Sequence, residues 1–440
     1  MSNINQNIPL LISGLIIFIL SSVQASEIIT LKMALKIACE KNPLLSVSRS
    51  DLQSASARVI QAKAAYYPQL NASIKTNRNW REMNNNSSMN NNNEITDNYA
   101  IELSVSQHLF DFGKTSAQVE SSQQALRAFE KSYEIVEKTL VRDVKQAFFE
   151  VLKQKQLVIV AKESLEFRNQ QLKQACALYQ KGLRPKIDLT RGEVDVSQAK
   201  LNLVIVEYGQ KDAIIAFEKL LGASPASERY SLLEASNSSA ITTTLSLDDL
   251  IQTAIENNPE IDSLKAQSKA AEAALFSARR NAYPGLNANC TYIYDGDSLP
   301  LDDQHWKVGI YLNWPLFTGF RQTGQVNETK SNLNKLNAML EHLKLSIKQA
   351  VSKAYFKLKT NQETITNAEI SLTQASENLA IAQGRYRAGI SDAIELNAAQ
   401  VLYTESRSTL IRATFERHKA LAELEFAVGV NYFECKPNCR

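Results

Sequence analysis

The sequence predicts a duplicated, mainly α-helical chain in which each half also carries two β-strands. Three observations carry that prediction: landmarks that recur at fixed offsets, apolar residues at three-four spacing over stretches of about 68 residues, and four short segments in which apolar and polar residues alternate.

The repeat sets the organisation. Asn42-Pro43 recurs as Asn258-Pro259, and Tyr67-Pro68-Gln69-Leu70-Asn71-Ala72 recurs as Tyr283-Pro284-Gly285-Leu286-Asn287-Ala288, at one offset. The second copy is then nine residues shorter, which the Asn-rich stretch from Asn84 to Asn93 in the first copy accounts for. Beyond it a new offset aligns Leu109-Phe110 with Leu316-Phe317, Gln118-Val119 with Gln325-Val326, Tyr179 and Gly182 with Tyr386 and Gly389, and Gly222 with Gly429. The expected halves are 27–226 and 245–430, joined by a Ser- and Thr-rich linker at 227–244 and followed by a tail at 431–440.

Both halves obey one grammar. A short helix ends at Asn-Pro, where Asn caps the next helix and Pro occupies its first turn, a position that needs no N–H. Tyr-Pro stops that helix. Strands are expected at 69–81 and 96–108, then at 285–295 and 305–314, each pair leading into a long helix at 114–181 or 321–388. Val119, Leu126, Phe129, Tyr133, Val136, Leu140, Val144, Phe148 and Val151 give the first long helix a coiled-coil seam, and Val326, Leu333, Leu336, Leu340, Leu343 and Ile347 give the second its counterpart. Each would be about 100 Å long. The last helix of each half ends at Gly222 or Gly429. Two shorter helices of about 35 residues each are expected to stack end to end along each long one.

Composition narrows the class. The 440 residues include 49 basic and 46 acidic side chains, a net charge of +3, which favours neither nucleic acid nor any strongly charged partner. Only 14 Gly and 10 Pro suit long regular elements. The apolar run Ile8 to Val23, followed by Val23-Gln24-Ala25-Ser26, reads as a signal peptide over 1–25, although Met1 to Asn7 carries no basic residue. Nothing after it is long and apolar enough for a membrane helix. Cys39, Cys176 and Cys290 are scattered singly, whereas Cys435 and Cys439 are close enough to bridge in an oxidising compartment. His108, His305, His342 and His418 form no cluster, and neither a metal site nor a cofactor is expected.

The alternating segments decide what kind of exported protein this is. Tyr99, Ile101, Leu103 and Val105 oppose Glu102, Ser104 and Ser106; Trp306, Val308, Ile310, Leu312 and Trp314 oppose Lys307, Gly309, Tyr311 and Asn313. Leu286, Ala288, Cys290, Tyr292 and Tyr294 oppose Asn287, Asn289 and Thr291, while Leu70, Ala72 and Ile74 oppose Asn71, Ser73 and Lys75. Runs of about ten residues with aromatic ends fit strands that cross a bilayer around a wet interior. Four strands cannot close a barrel, and unpaired edges are not tolerated in lipid, so the chain must combine with copies of itself. The competing reading is a soluble exported coiled-coil scaffold whose sheet buries its apolar face.

The repeated Asn-Pro and Tyr-Pro signatures, Leu109-Phe110-Asp111-Phe112-Gly113 with its counterpart Pro315-Leu316-Phe317-Thr318-Gly319, and the Tyr-x-x-Gly turns together resemble the TolC family of outer-membrane efflux proteins. That resemblance implies a homotrimer with a twelve-stranded barrel in outer-membrane lipid and an α-helical tunnel in the periplasm. It implies docking onto a periplasmic adaptor (membrane fusion) protein and an inner-membrane ABC or proton-driven transporter, for efflux or type I protein secretion. It also implies that Gly182, Leu183, Gly389 and Ile390 form adaptor-contacting turns, and that Asp188, Tyr386 and Glu395 belong to a periplasmic gate. Ser391 stands where a gate arginine is expected and Ala398 where a second acid can occur, which predicts a weaker latch and a less electronegative mouth. No Ser/His/Asp grouping, phosphate-cradling Gly loop or helical His pair points to an enzyme.

Overall fold

The computed structural model describes residues 27–82, 93–223, 230–232 and 246–430. The expected signal peptide at 1–25 and the Cys435–Cys439 pairing lie outside the described residues. In chain order the elements are β1 (Glu27–Ile29), α1 (Leu31–Lys41), α2 (Pro43–Lys63), β2 (Gln69–Glu82), β3 (Asn93–Phe110), α3 (Lys114–Gln180), α4 (Lys186–Leu221) and β4 (Tyr230–Leu232). The second half supplies α5 (Leu247–Asn257), α6 (Pro259–Arg280), β5 (Gly285–Gly296), β6 (Asp303–Asn313), α7 (Arg321–Arg387) and α8 (Ala393–Val428).

The helix joints follow from local chemistry. The Asn42 side chain accepts from the Leu44 amide at 2.9 Å and Asn258 accepts from the Glu260 amide at 2.8 Å, so each Asn-Pro pair both ends one helix and caps the next. Ser246 and Asp249 close a reciprocal capping box at the start of α5. With 67 residues each, α3 and α7 are about 100 Å long, and α4 and α8 with 36 residues cover the half of that length farthest from the sheet. On the sheet side α2 packs on α3, α3 on α6 and α6 on α7; on the far side α4 packs on α3, α3 on α8 and α8 on α7. The result is a wall four helices wide along its whole length. The expected partner helices of about 35 residues are half right. α4 and α8 have that size, but α2 and α6 have only 21 and 22 residues, because Asn-Pro splits off α1 and α5 as separate helices that dock at the junctions.

Those junctions hold the two main cores. In the first, Leu140, Val144, Phe148 and Val151 of α3 meet Leu35 and Ala38 of α1 and Phe217 and Leu221 of α4, with the Phe148 and Phe217 rings edge-on at 6.0 Å. In the second, Ile347, Val351 and Ala354 of α7 meet Leu250 and Ala254 of α5 and Leu424 and Val428 of α8. Each core is closed by a glycine. Gly222 has φ +71° and so little room that a Cβ would sit 2.5 Å from the Lys41 carbonyl oxygen; at Gly429, φ +79°, it would sit 2.9 Å from that of Asn257. Asn42 reinforces the first joint by donating to the Leu220 carbonyl at 2.7 Å.

Three features depart from expectation. β1 and β4 pair in parallel, Ile29 beside Leu232, and add those two side chains to the first core; strands of three residues are too short to show a periodicity, and β4 lies within the stretch expected to be linker. β3 begins at Asn93, ahead of the expected start at 96, since ladder pairing with β2 uses backbone groups that polar residues supply as well as apolar ones. Cys39, expected to be a lone thiol, is disulfide-bonded, while Cys176 and Cys290 are free.

Gly222→Ala and Gly429→Ala should each destabilise the fold by more than Gly389→Ala. Gly389 has φ +72° but nothing within 4 Å of an added Cβ, so that variant carries only the left-handed backbone cost of ~1–2 kcal/mol. Thermal unfolding followed by circular dichroism checks the order; equal melting temperatures for the three would refute it.

Candidate functional site

The four-stranded antiparallel sheet has the order β2-β3-β5-β6, which leaves β2 and β6 as open edges. Its register is continuous across the strands. Ala72, Leu103, Tyr292 and Trp306 lie on one rung and Leu70, Val105, Cys290 and Val308 on the next rung of the same face. The opposite face carries Asn71, Ser104, Thr291 and Lys307 on one rung and Ser73, Glu102, Ile293 and His305 on another. The apolar face is not covered by any helix: Ile74 is 83 % exposed and Val308 77 %. A soluble sheet with a buried face would have hidden those residues, so lipid is the surrounding they fit. The first hairpin reaches beyond the second, because β2 and β3 stay paired from Asn77 and Asn98 to Glu82 and Asn93 with no third strand beside them.

At the far end of the helices, two tight turns form the tips. After α3, the Gly182 amide donates to the Tyr179 carbonyl and the Leu183 amide to that of Leu178; after α7, Gly389 donates to Tyr386 and Ile390 to Arg385. This double closure requires a left-handed residue, and Gly182 and Gly389 supply it at φ +71° and +72°. Each turn presents one apolar side chain, Leu183 or Ile390, about two-thirds or more exposed.

The two helical hairpins, α3 with α4 and α7 with α8, meet along α3 and α8. Polar pairs recur along this contact, beside the stacked rings of Phe149 and His418. Lys145 donates to Glu425 at 2.5 Å, Gln146 to Glu423 at 2.7 Å, Lys419 to Glu150 at 3.0 Å and Lys153 to Glu416 at 3.3 Å. Nearer the tip, Arg407 forks onto the Glu163 carboxylate. Last comes a three-residue link: Arg168 donates to the Asn397 side chain at 2.5 Å, and Asn397 donates to Asp195 at 2.7 Å. Arg168 is buried, which lowers the pKa of its guanidinium, while Asp195 at 3.6 Å acts in the opposite sense. Burial also opposes ionisation of Glu150, but hydrogen bonds from Lys153, Gln154 and Lys419 outweigh it and hold the carboxyl at about 2.

With that geometry in view, the known relatives are informative. The family model for outer membrane efflux proteins matches residues 34–223 and 250–430, most of both halves. The chain belongs to the outer membrane efflux protein family. It is 23 % identical over 404 residues to Protein CyaE of Bordetella pertussis, covering 90 % of this chain and 83 % of that one, and 22 % identical over 428 residues to the outer membrane efflux protein BepC of Brucella suis, covering 94 % and 90 %. Its fold superposes on the CmeC outer membrane channel of Campylobacter jejuni with a TM-score of 0.83 at 16 % identity, over 92 % of this chain and 87 % of that one. The MtrE channel of Neisseria gonorrhoeae in its open state gives 0.74 at 18 % identity, over 91 % and 89 %. The chain is therefore an outer-membrane channel, a passive exit duct for efflux or secretion, and not a soluble scaffold.

The residues singled out from sequence fall in two places. Asp188 and Tyr386 line one small cavity of about 30 Å³ between the hairpins, together with Gln171, Arg184, Asp195 and Asn397. Asp188 lies 3.8 Å from Arg184 on its own turn, and Tyr386 packs against Leu396 and Ala399. Glu395 is not among them; it pairs at 3.1 Å with Arg385 of its own hairpin. Ser391 is buried, and its hydroxyl donates to the Asp392 carbonyl at 3.3 Å. Sequence reasoning missed Arg168, Asp195, Asn397 and the rest of the α3–α8 seam. The only signal was that the charges on two distant helices complement one another when read antiparallel, and that is visible only once the pairing of helices is known.

The seam should weaken in acid. The Glu150 carboxyl is held below its ordinary 4.5, so its contribution is complete above that pH and is lost as pH falls towards about 2. Melting temperature measured across that window should fall more steeply for the native chain than for Glu150→Gln; parallel slopes would show that Glu150 is not part of the acid response.

Proposed function

We propose that three copies of the chain close a single twelve-stranded barrel and a common helical tunnel, forming the exit duct of a tripartite efflux pump or type I secretion system. The observation that carries this reading is a sheet with two open edges and a bare apolar face: edge pairing between copies satisfies the backbone, and lipid satisfies the face. Four strands per chain require more than one copy, and the homotrimer is the assembly that the family resemblance implies. Leu183 and Ile390, held at the tips by Gly182 and Gly389, serve as apolar contacts for a periplasmic adaptor protein, which joins the duct to an inner-membrane ABC or proton-driven transporter.

The gate lies at the same end. α7 and α8 are held to α3 and α4 by the polar seam, and the link from Arg168 through Asn397 to Asp195 is its last fastening before the tips. Asp188 and Tyr386 occupy the cavity beside it. Glu395 contributes little net charge to the mouth because Arg385 accompanies it. Where the seam is exposed, as at Arg407 and Glu163, an ion pair in water separates at low cost, which suits a contact that must open and close.

Two measurements test this reading. The detergent-purified mature protein should migrate as a trimer and conduct ions across a planar bilayer; a monomer without conductance refutes the duct. Arg168→Ala should raise the conductance of the resting channel several-fold with the trimer intact, and an unchanged conductance removes Arg168 from the gate.

A further inference from the structure

We propose that Lys307 forms a cationic ring inside the assembled barrel and makes this part of the duct selective for anionic solutes. The proposal rests on closure of the sheet by further copies of the chain.

Strand alternation fixes where Lys307 lies. Trp306, Val308, Ile310 and Leu312 of β6 belong to the bare apolar face, so Lys307, between the first two, belongs to the polar one. Its rung holds Thr291, Ser104 and Asn71, all uncharged. The rungs towards the helices carry Gln69, Ser106, Asn289 and Gly309, then Asn287 and Tyr311 beside His108. Among the described residues, Lys307 is therefore the only Lys, Arg, Asp or Glu on the inner face from its own rung down to the base of the sheet.

The outer rungs of this face carry Lys75, Glu102, Asp295 and Asp303, with Asp303 four residues before Lys307 along β6. Glu102 is bonded to Lys75 at 2.5 Å, and Asp295 faces His305 at 3.4 Å. No carboxylate forms an ion pair with Lys307 among the described residues, and its side chain is exposed. Assembly does not alter this. β6 is an open edge, and the edge that another copy offers is β2, whose inner face carries Asn71, Ser73, Lys75, Asn77 and Asn79. None of these is acidic, so no register of β6 against β2 brings a carboxylate from that strand to Lys307. Glu102, on the next rung of this face, interacts electrostatically with Lys307 but is already bonded to Lys75, so the three groups leave each copy with one net positive charge near the depth of Lys307. A ring of cations on the wall of the duct attracts anions and repels cations passing through it. The solutes favoured are small organic molecules that carry carboxylate or phosphate groups.

The test is the reversal potential of the full-length protein in a planar bilayer under a KCl gradient. The anion-to-cation permeability ratio should fall several-fold in Lys307→Gln and further in Lys307→Glu. If Lys307→Glu fails to assemble, Lys307→Gln, close in length and uncharged, decides the matter alone. Conducting channels with an unchanged ratio overturn the cationic ring while leaving the duct intact; absence of conductance in the native protein is a failure of the duct itself.

Discussion

A four-stranded sheet with one apolar face, one polar face and two unpaired edges has no stable home as a single copy. Water suits its polar face and edges, lipid suits its apolar face, and neither suits both. The rest of the molecule is arranged around resolving that conflict. The helices emerge from one end of the sheet and leave the apolar face bare. The edges β2 and β6 come from the hairpin of the first half and the hairpin of the second, so identical chains can follow one another around a ring. Duplication supplies the geometry: each half contributes one hairpin and one long-helix unit, and the two hairpins pair through β3 and β5.

The helical wall uses two kinds of contact for two purposes. The strongest apolar packing is at the junctions, where α1 and α5 wedge between a long helix and a short one and where Gly222 and Gly429 permit backbone contact. These joints fix how each long helix sits relative to its partners. Between the hairpins, the contact of α3 with α8 changes character along its length. Near the junction it includes a buried pair, Lys145 with Glu425, whose separation would leave a desolvated charge behind. Towards the tips the Arg407–Glu163 pair is more exposed and hence weaker, whereas Arg168 beyond it is buried again.

On the proposed reading, the barrel and the tips act on different properties of what passes. The tip end is the proposed gate, fastened by the polar links from Arg168 through Asn397 to Asp195. The barrel end carries a fixed pattern of charge on a rigid hydrogen-bonded ladder, which does not need to move in order to discriminate. Separating the two tasks by the length of a helix of about 100 Å leaves each free of the other's constraints.

Much of this was legible in the residues alone. Recurrence of Asn-Pro, Tyr-Pro and the capping glycines set the duplication. Three-four spacing marked the long helices, and period-two alternation marked the strands, because those signals are local and depend only on backbone geometry. The need for several copies followed from counting strands. Tertiary structure alone decided which helices lie side by side, and therefore that Arg168, Asp195 and Asn397 meet although the first and last are 229 positions apart. It separated Glu395 from Asp188 and Tyr386, gave Cys39 a disulfide, and added the β1–β4 pair, whose three-residue strands carry no period to read. The physical reason is the same in each case. Periodicity reports which face of an element is apolar, whereas a polar contact between distant elements depends on which neighbour that face meets, and no local pattern encodes the neighbour.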